Sequence, residues 1–363
     1  MATSIATKAE LAIVNVFSAA QDRLVLQASD MSLETVAAMV EKGAIDTQPQ
    51  YQRRERWSET RQSALIESFI LNIPIPPVYL AEEAYGKYTV IDGKQRLSTI
   101  VRFMRDKLAL IDLDSFAQLE GYKFSKLPIE LRNALEIRPY VRVITLLKQS
   151  DPELKYEVFE RLNTGGEALF PQEIRNSAFR GKFNDLLFEL SKSKFLRQQL
   201  KISKDNEPTF LQMQDVEYVL RFFMMQQTWR NFSGDFRRSM DVYMEQHKDP
   251  TAAVIKKKRK DYDAALSRCE KFWGLNAFKR YSKDGVRNQF LAGMYDAQMV
   301  AVSLLSDTRA AFLATKISKI HAATQKLFAA GQQFESWVRY GTNTKSSVIN
   351  RIEAINALLS SIT

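Results

Sequence analysis

One cysteine, Cys269, and two histidines, His247 and His321, are all that the 363 residues offer of thiol and imidazole. Neither a disulfide framework nor a zinc ribbon can be assembled from them. A nuclease of the His-metal-finger kind, which needs a general-base His and further His or Asn ligands, finds no material either. Long apolar runs are also missing: no segment approaches the ~20 residues of a membrane span. The opening residues, MATSIATKAELAIVNVF, lack the basic leader and long apolar stretch of a secretory signal. A reducing cytoplasm is the location these absences fit.

What the chain does have is positive charge. The formal balance is +10, which suits a polyanionic partner such as DNA or simply a soluble basic surface. Hydrophobic content of 45% with 26% charged residues is that of an ordinary globular protein, and the length makes two domains the default expectation.

The first half mixes strand and helix signals. Ser32 is placed to cap a helix carrying Leu33, Val36, Ala37 and Val40 on one face, closed by Gly43. Ser58 is placed to cap a second helix with Ala64, Leu65, Phe69 and Ile70 inward, which must stop before Pro74. Val78–Leu80 and Tyr88–Ile91 are β-rich runs separated by Gly86, and Arg138–Leu147 reads as a third strand. Beyond Asp151 the periods are helical: Asn184–Leu200, Leu211–Gln227, Phe236–Gln246, Ala252–Trp273, Val286–Leu305, Arg309–Leu327 and Ser346–Leu359. The expected architecture is α+β: an extension over 1–30, a small-sheet domain over 31–185, and an all-α bundle over 205–363. The polar stretch Lys201–Pro208 reads as the linker.

Chemistry concentrates in Tyr88–Leu97, YTVIDGKQRL: a strand, an Asp-Gly turn and a helix start. A helix N-terminus with a guanidinium beside it is an anion site, and phosphate is its natural occupant. Asp92 has two readings. Its spacing to Gln95 is that of a capping box, and its carboxylate also suits a divalent metal carried on phosphates. Gly93 permits positive φ or close approach, Lys94 adds charge, and Arg96 would fork onto phosphate oxygens. A second constellation, FERLNTGGEALFPQEIRN, is helix, glycine loop, helix. Asn163, Gly165 and Gly166 either close one helix before a proline opens the next, or line a ligand pocket. Arg53, Arg54 and Arg56 between Tyr51 and Trp57 suit either nucleic-acid stacking or a nucleotide pocket. Lys256, Lys257, Lys258, Arg259 and Lys260 form a basic run on a helix, a DNA contact or a solvated face.

Taken in order, Tyr51-x-Arg53-x-x-x-Trp57, Pro74-Ile-Pro-Pro77, Ile91-Asp-Gly-Lys-Gln-Arg-Leu97 and the FERLNTGGEAL/PxEIRN pair resemble the N-terminal domain of GmrSD-type restriction systems. That ParB/sulfiredoxin-like family is known for an Asp-Gly-Gln-Gln-Arg signature. The likeness spans roughly residues 30–180, and Lys94 stands where the signature has its first Gln. The resemblance implies a nucleoside triphosphate bound, and hydrolysed, with Mg²⁺ or another divalent cation, in bacterial defence acting on DNA. Asp92, Gln95 and Arg96 would be catalytic; Gly93, Lys94, Arg96, Arg53, Asn163, Gly165 and Gly166 would hold nucleotide; Asp92 and Asn163 would meet the metal. Leu162 and Gly166 stand where the ParB box carries Glu and Arg, so ParB-style metal ligation does not transfer whole. No HNH-type segment is present up to Thr363, so a partner nuclease or methyltransferase subunit is expected. The alternative is a non-catalytic, nucleotide-switched DNA-binding or regulatory protein; an oligomer is compatible with both.

Overall fold

Short polar caps set where the helices of the first half begin. Ser32 Oγ accepts from the Thr35 amide at 3.2 Å and Ser58 Oγ from the Arg61 amide at 3.2 Å, each satisfying a donor that the first helical turn leaves over. The computed structural model describes residues 8–47, 57–138, 140–162, 170–205, 207–282, 285–329 and 333–363. These fall into two compact units, Met1–Leu169 and Phe170–Thr363.

The first unit runs α1 (Lys8–Asp22), β1 (Leu26–Met31), α2 (Leu33–Glu41), β2 (Ile45–Asp46), α3 (Glu59–Ile70), β3 (Val78–Ala84) and β4 (Lys87–Asp92). It continues through α4 (Lys94–Met104), α5 (Ile129–Ile137), β5 (Val141–Leu146) and α6 (Pro152–Leu162). Its five strands form one mixed sheet in the order β1-β5-β3-β4-β2. β3 and β4 are an antiparallel hairpin about Gly86, and β5 lies parallel to β3 with Tyr79 opposite Ile144. The core is made by Leu33, Val36, Leu65, Ile66, Phe69, Val78, Val90, Leu97, Ile100, Phe103 and Val143, all buried. α4 therefore presents Leu97, Ile100 and Phe103 inward at the 3.6 period, which fixes its rotation and so the direction of its first turn.

β1 begins inside the segment expected to be an extension. Its sequence, LQASDM, is polar and mostly exposed because it is an edge strand, and it carries no β-rich signal. Pairing with β5 over Leu26↔Leu146 to Met31↔Val141, with Arg142 donating to both Asp30 oxygens at 2.8 Å, holds it in the sheet.

The second unit holds α7 (Pro171–Ala178), α8 (Lys182–Leu190), α9 (Lys194–Gln199), α10 (Pro208–Leu211), α11 (Gln214–Thr228), α12 (Phe236–Gln246) and α13 (Ala252–Trp273). After these come β6 (Lys279–Ser282), β7 (Gly285–Phe290), α14 (Ala292–Ser303), α15 (Asp307–Leu313), α16 (Ile317–Leu327), α17 (Phe334–Arg339) and α18 (Lys345–Ser361). It is not all-α. The helix expected from Val286 opens as strand β7, with Tyr281 opposite Val286, and becomes helical only after Leu291. Two further expected helices are each broken in two, between α8 and α9 and between α15 and α16. The stretch Lys201–Pro208 lies within this unit, and the division between units falls earlier, at Leu169 and Phe170.

Candidate functional site

β4 ends on Asp92, Gly93 turns the chain, and α4 starts at Lys94. Gly93 is the N-cap at φ 96°, ψ 12°, in the left-handed region, and contributes no side-chain cap. A Cβ there would stand 2.9 Å from Val78 Cγ2 and 3.1 Å from Arg96 Nη2, so glycine is demanded twice over.

The Arg96 guanidinium lies against the space a Cβ would fill. Arg96 Nη2 donates to Asp92 Oδ2 at 2.7 Å and to the Pro77 carbonyl at 3.1 Å. Its Nε is buried without a hydrogen-bond partner. The Arg96 side chain is 13% exposed and that of Asp92 37%, so the arginine is the fixed member of the pair and the carboxylate the reachable one. This corrects the capping-box reading of Asp92. The left-handed glycine moves the helix start one residue on, Asp92 stays the last residue of β4, and its carboxylate goes to Arg96.

The corner gathers two more of the sequence motifs. Pro77 supplies the second acceptor for Arg96, a role invisible in the PIPP sequence because it uses only the backbone. Trp57 is drawn in by its main chain: its amide donates to Gln95 Oε1 at 3.4 Å and its carbonyl accepts from Gln62 Nε2 at 2.6 Å. Gln62 is itself held by Arg102 Nη1 at 2.5 Å, and the Arg61 guanidinium lies 4.6 Å from the Trp57 ring. Arg53, Asn163, Gly165 and Gly166 lie outside the described residues.

The PxEIRN motif belongs to the second unit. It forms α7, and Gln172, Glu173, Arg175 and Asn176 are all buried. Glu173 Oε2 accepts from the Phe170 amide at 2.8 Å, closing the helix start. Arg175 donates to Glu217 at 2.9 Å and to Asp241 at 2.7 Å, while Gln172 donates to Asn176 at 2.9 Å. These side chains tie α7 to α11 and α12, a packing role.

In the basic run, Lys256 and Lys260 are exposed, and the others have partners. Lys257 pairs with Asp261 at 2.6 Å and Arg259 with Glu189. Lys258 donates to Tyr243 Oη at 2.5 Å and sits 5.0 Å from the Tyr243 ring and 5.2 Å from those of Phe183 and Phe223. Burial brings its ammonium from the ordinary 10.5 down to about 8, with neighbouring Lys257 adding to the effect. The unfolded chain therefore holds this proton at higher pH than the native one, and native stability gains as pH rises through the interval. Wild-type stability relative to Lys258→Met is expected to increase between pH 8 and 10.5, read by urea denaturation at several pH values. A flat difference would mean that the three ring faces fully offset burial.

Among the described residues no group of three or more His, Cys, Asp or Glu side chains is placed to hold a metal ion. A dedicated protein cage is therefore not what this corner offers. Mg²⁺, however, keeps several waters and takes one or two carboxylates plus substrate phosphates, and the accessible Asp92 fits that arrangement. Cys269 is buried and its thiol is pushed well above the ordinary range, so it is inert. No helix among the described residues is long and apolar enough to cross a membrane.

Sheet, left-handed glycine and anchored guanidinium together define an α/β domain with a strand–turn–helix corner. Residues 36–180 match the family described as GmrSD restriction endonuclease, N-terminal domain. The family places the chain in the context of restriction-type defence systems. No curated protein and no solved structure gives a significant match.

Proposed function

We propose that the first unit is a ParB/sulfiredoxin-like domain that binds and hydrolyses a nucleoside triphosphate, within a defence system acting on DNA. One observation carries this reading: Pro77 of one motif and Asp92 and Gly93 of another converge to hold a single guanidinium at the start of α4. Orienting an arginine by two acceptors and a missing Cβ is the kind of preorganisation that phosphate recognition needs.

In this reading Arg96 and the positive pole of α4 grip the phosphates, with Lys94 adding charge near the helix start. A divalent cation carried on the triphosphate would meet Asp92, with Asn163 as a further ligand, and would neutralise charge on the phosphates. Gln95, held toward Trp57, orders the polar side of the turn against which the attacking water is positioned. Water oxygen attacks the terminal phosphorus, the bridging P–O bond breaks, the nucleoside diphosphate leaves with the electron pair, and the proton of the attacking water passes to the phosphate product and solvent. Contact with DNA would fall to the exposed Lys256 and Lys260, and cutting to a partner nuclease.

Purified protein with Mg²⁺ and ATP is expected to release phosphate steadily. Arg96→Ala should reduce that at least about a hundredfold, the scale of losing one charged transition-state contact. Because the substitution strands Asp92, Arg96→Lys is measured beside it, and circular dichroism checks that both variants fold. Nucleotide bound without turnover would favour the switch reading; release unaffected by either variant would overturn the assignment.

A further inference from the structure

We propose that Asp92 is an internal occupant of the Arg96 anion seat, so that the corner admits a nucleoside triphosphate only together with a divalent cation. This rests on the nucleotide reading above and specifies the form of ligand the site takes.

The geometry is one of competition. A guanidinium offers phosphate its Nε–Nη2 edge as two parallel N–H donors. In Arg96 both hydrogens of Nη2 are spent, one on Asp92 Oδ2 at 2.7 Å and one on the Pro77 carbonyl at 3.1 Å. Nε, the other donor of that edge, is buried and has no hydrogen-bond partner. The carboxylate thus fills half of a two-point seat and leaves the second donor unmatched. A phosphate that reaches Nη2 must take it from Asp92, and it arrives as one anion beside another with a single guanidinium between them.

The two members of the pair differ in freedom. Arg96 is confined by its bond to the Pro77 carbonyl and by Gly93 beside it, with 13% of its side chain exposed. Asp92 is 37% exposed at the end of a strand, so the carboxylate is the one that leaves. A divalent cation binding Asp92 cancels its charge and withdraws its oxygen from Nη2, opening the seat. By linkage, cation and triphosphate then strengthen each other's binding by the same factor. A metal-free nucleotide gains no such help. The apparent catalytic carboxylate is, toward bare nucleotide, a gate.

The test is nucleotide binding by the full chain, read by isothermal titration with ATP in EDTA and with ATP in excess Mg²⁺. Wild type is expected to bind at least about tenfold more weakly in EDTA than in Mg²⁺. Asp92→Asn, which keeps the shape and removes the charge, is expected to bind metal-free ATP about tenfold more tightly than wild type and to lose most of the Mg²⁺ dependence. Asp92→Ala should shift metal-free binding the same way, and thermal melts followed by circular dichroism establish that each variant folds. Equal wild-type affinity in the two buffers, or weaker metal-free binding by both folded variants, overturns the gate while leaving the nucleotide site standing. Absence of binding by all three proteins in both buffers overturns the nucleotide reading and the gate together.

Discussion

Asp296→Ala is expected to cost the second unit about 3–5 kcal/mol of stability, a large fraction of the roughly 5–15 kcal/mol that holds an ordinary domain folded. Asp296 sits in α14 with its side chain fully buried and takes hydrogen bonds from two arginines. Arg221 of α11 grips both of its oxygens, at 2.6 and 2.7 Å, and Arg351 of α18 reaches Oδ2 at 2.5 Å. Arg351 also donates to the carbonyls of Trp337 at 3.1 Å and Thr342 at 2.6 Å, and Arg221 lies 3.7 Å over the Phe236 ring. Burial presses the Arg351 guanidinium below its ordinary value despite Asp296, with Arg221 adding to the effect, whereas for Arg221 burial is opposed by Asp296, Tyr218 and Glu217 together and the value rises. Arg221 holds Asp296 through two bonds and Arg351 through one. Removing the carboxylate leaves two guanidinium ions facing each other without water. Urea denaturation monitored by tryptophan fluorescence reads the loss, and a shift below about 1 kcal/mol would show that solvent reaches the triad.

Gly93→Ala is expected to be the most damaging single methyl in the first unit. At φ 96° any L-residue carries a backbone cost of roughly 1–2 kcal/mol. Here the new Cβ would also meet Val78 Cγ2 at 2.9 Å and Arg96 Nη2 at 3.1 Å. Val78 belongs to the core and cannot yield cheaply, so Arg96 is pushed off its two acceptors. A destabilisation of about 2–4 kcal/mol is expected from strain and crowding together, with loss of ATP binding in titration. Gly86→Ala is the internal control. Gly86 has φ 72° in the same strand pair, but an added Cβ there meets nothing within 4 Å. It should lose only the conformational part and keep nucleotide binding. If the two variants behave alike, Gly93 is merely a turn residue.

The caps at Ser32 and Ser58, the hairpin about Gly86 and the start of α4 could all be read from local chemistry, because each depends on residues a few positions apart. What stayed hidden depends on partners distant in the chain. β1 is strand because β5 lies beside it, and nothing in LQASDM says so. Asp296 looks unremarkable in AGMYDAQMVAVS until Arg221 and Arg351 close on it from two other helices. The basic run looked like a uniform stripe, yet Lys258 is turned inward by three rings that come from three helices. At the candidate site the residue types were legible; the direction of the Asp92 carboxylate was not, because glycine geometry at the next position decides it.

Helix α7 has a practical consequence. The segment that matches the family and the piece of the molecule that packs as one body do not share an end: the match runs to residue 180, whereas the first unit closes at Leu169. A fragment cut at residue 180 would keep every family motif and still strip Arg175 of Glu217 and Asp241, leaving a bare cation on a dangling helix. Excising the motif region by homology would therefore yield a sticky, frayed terminus. A cut made by mechanical boundary instead would end before Phe170 and leave Arg175 with its own acids.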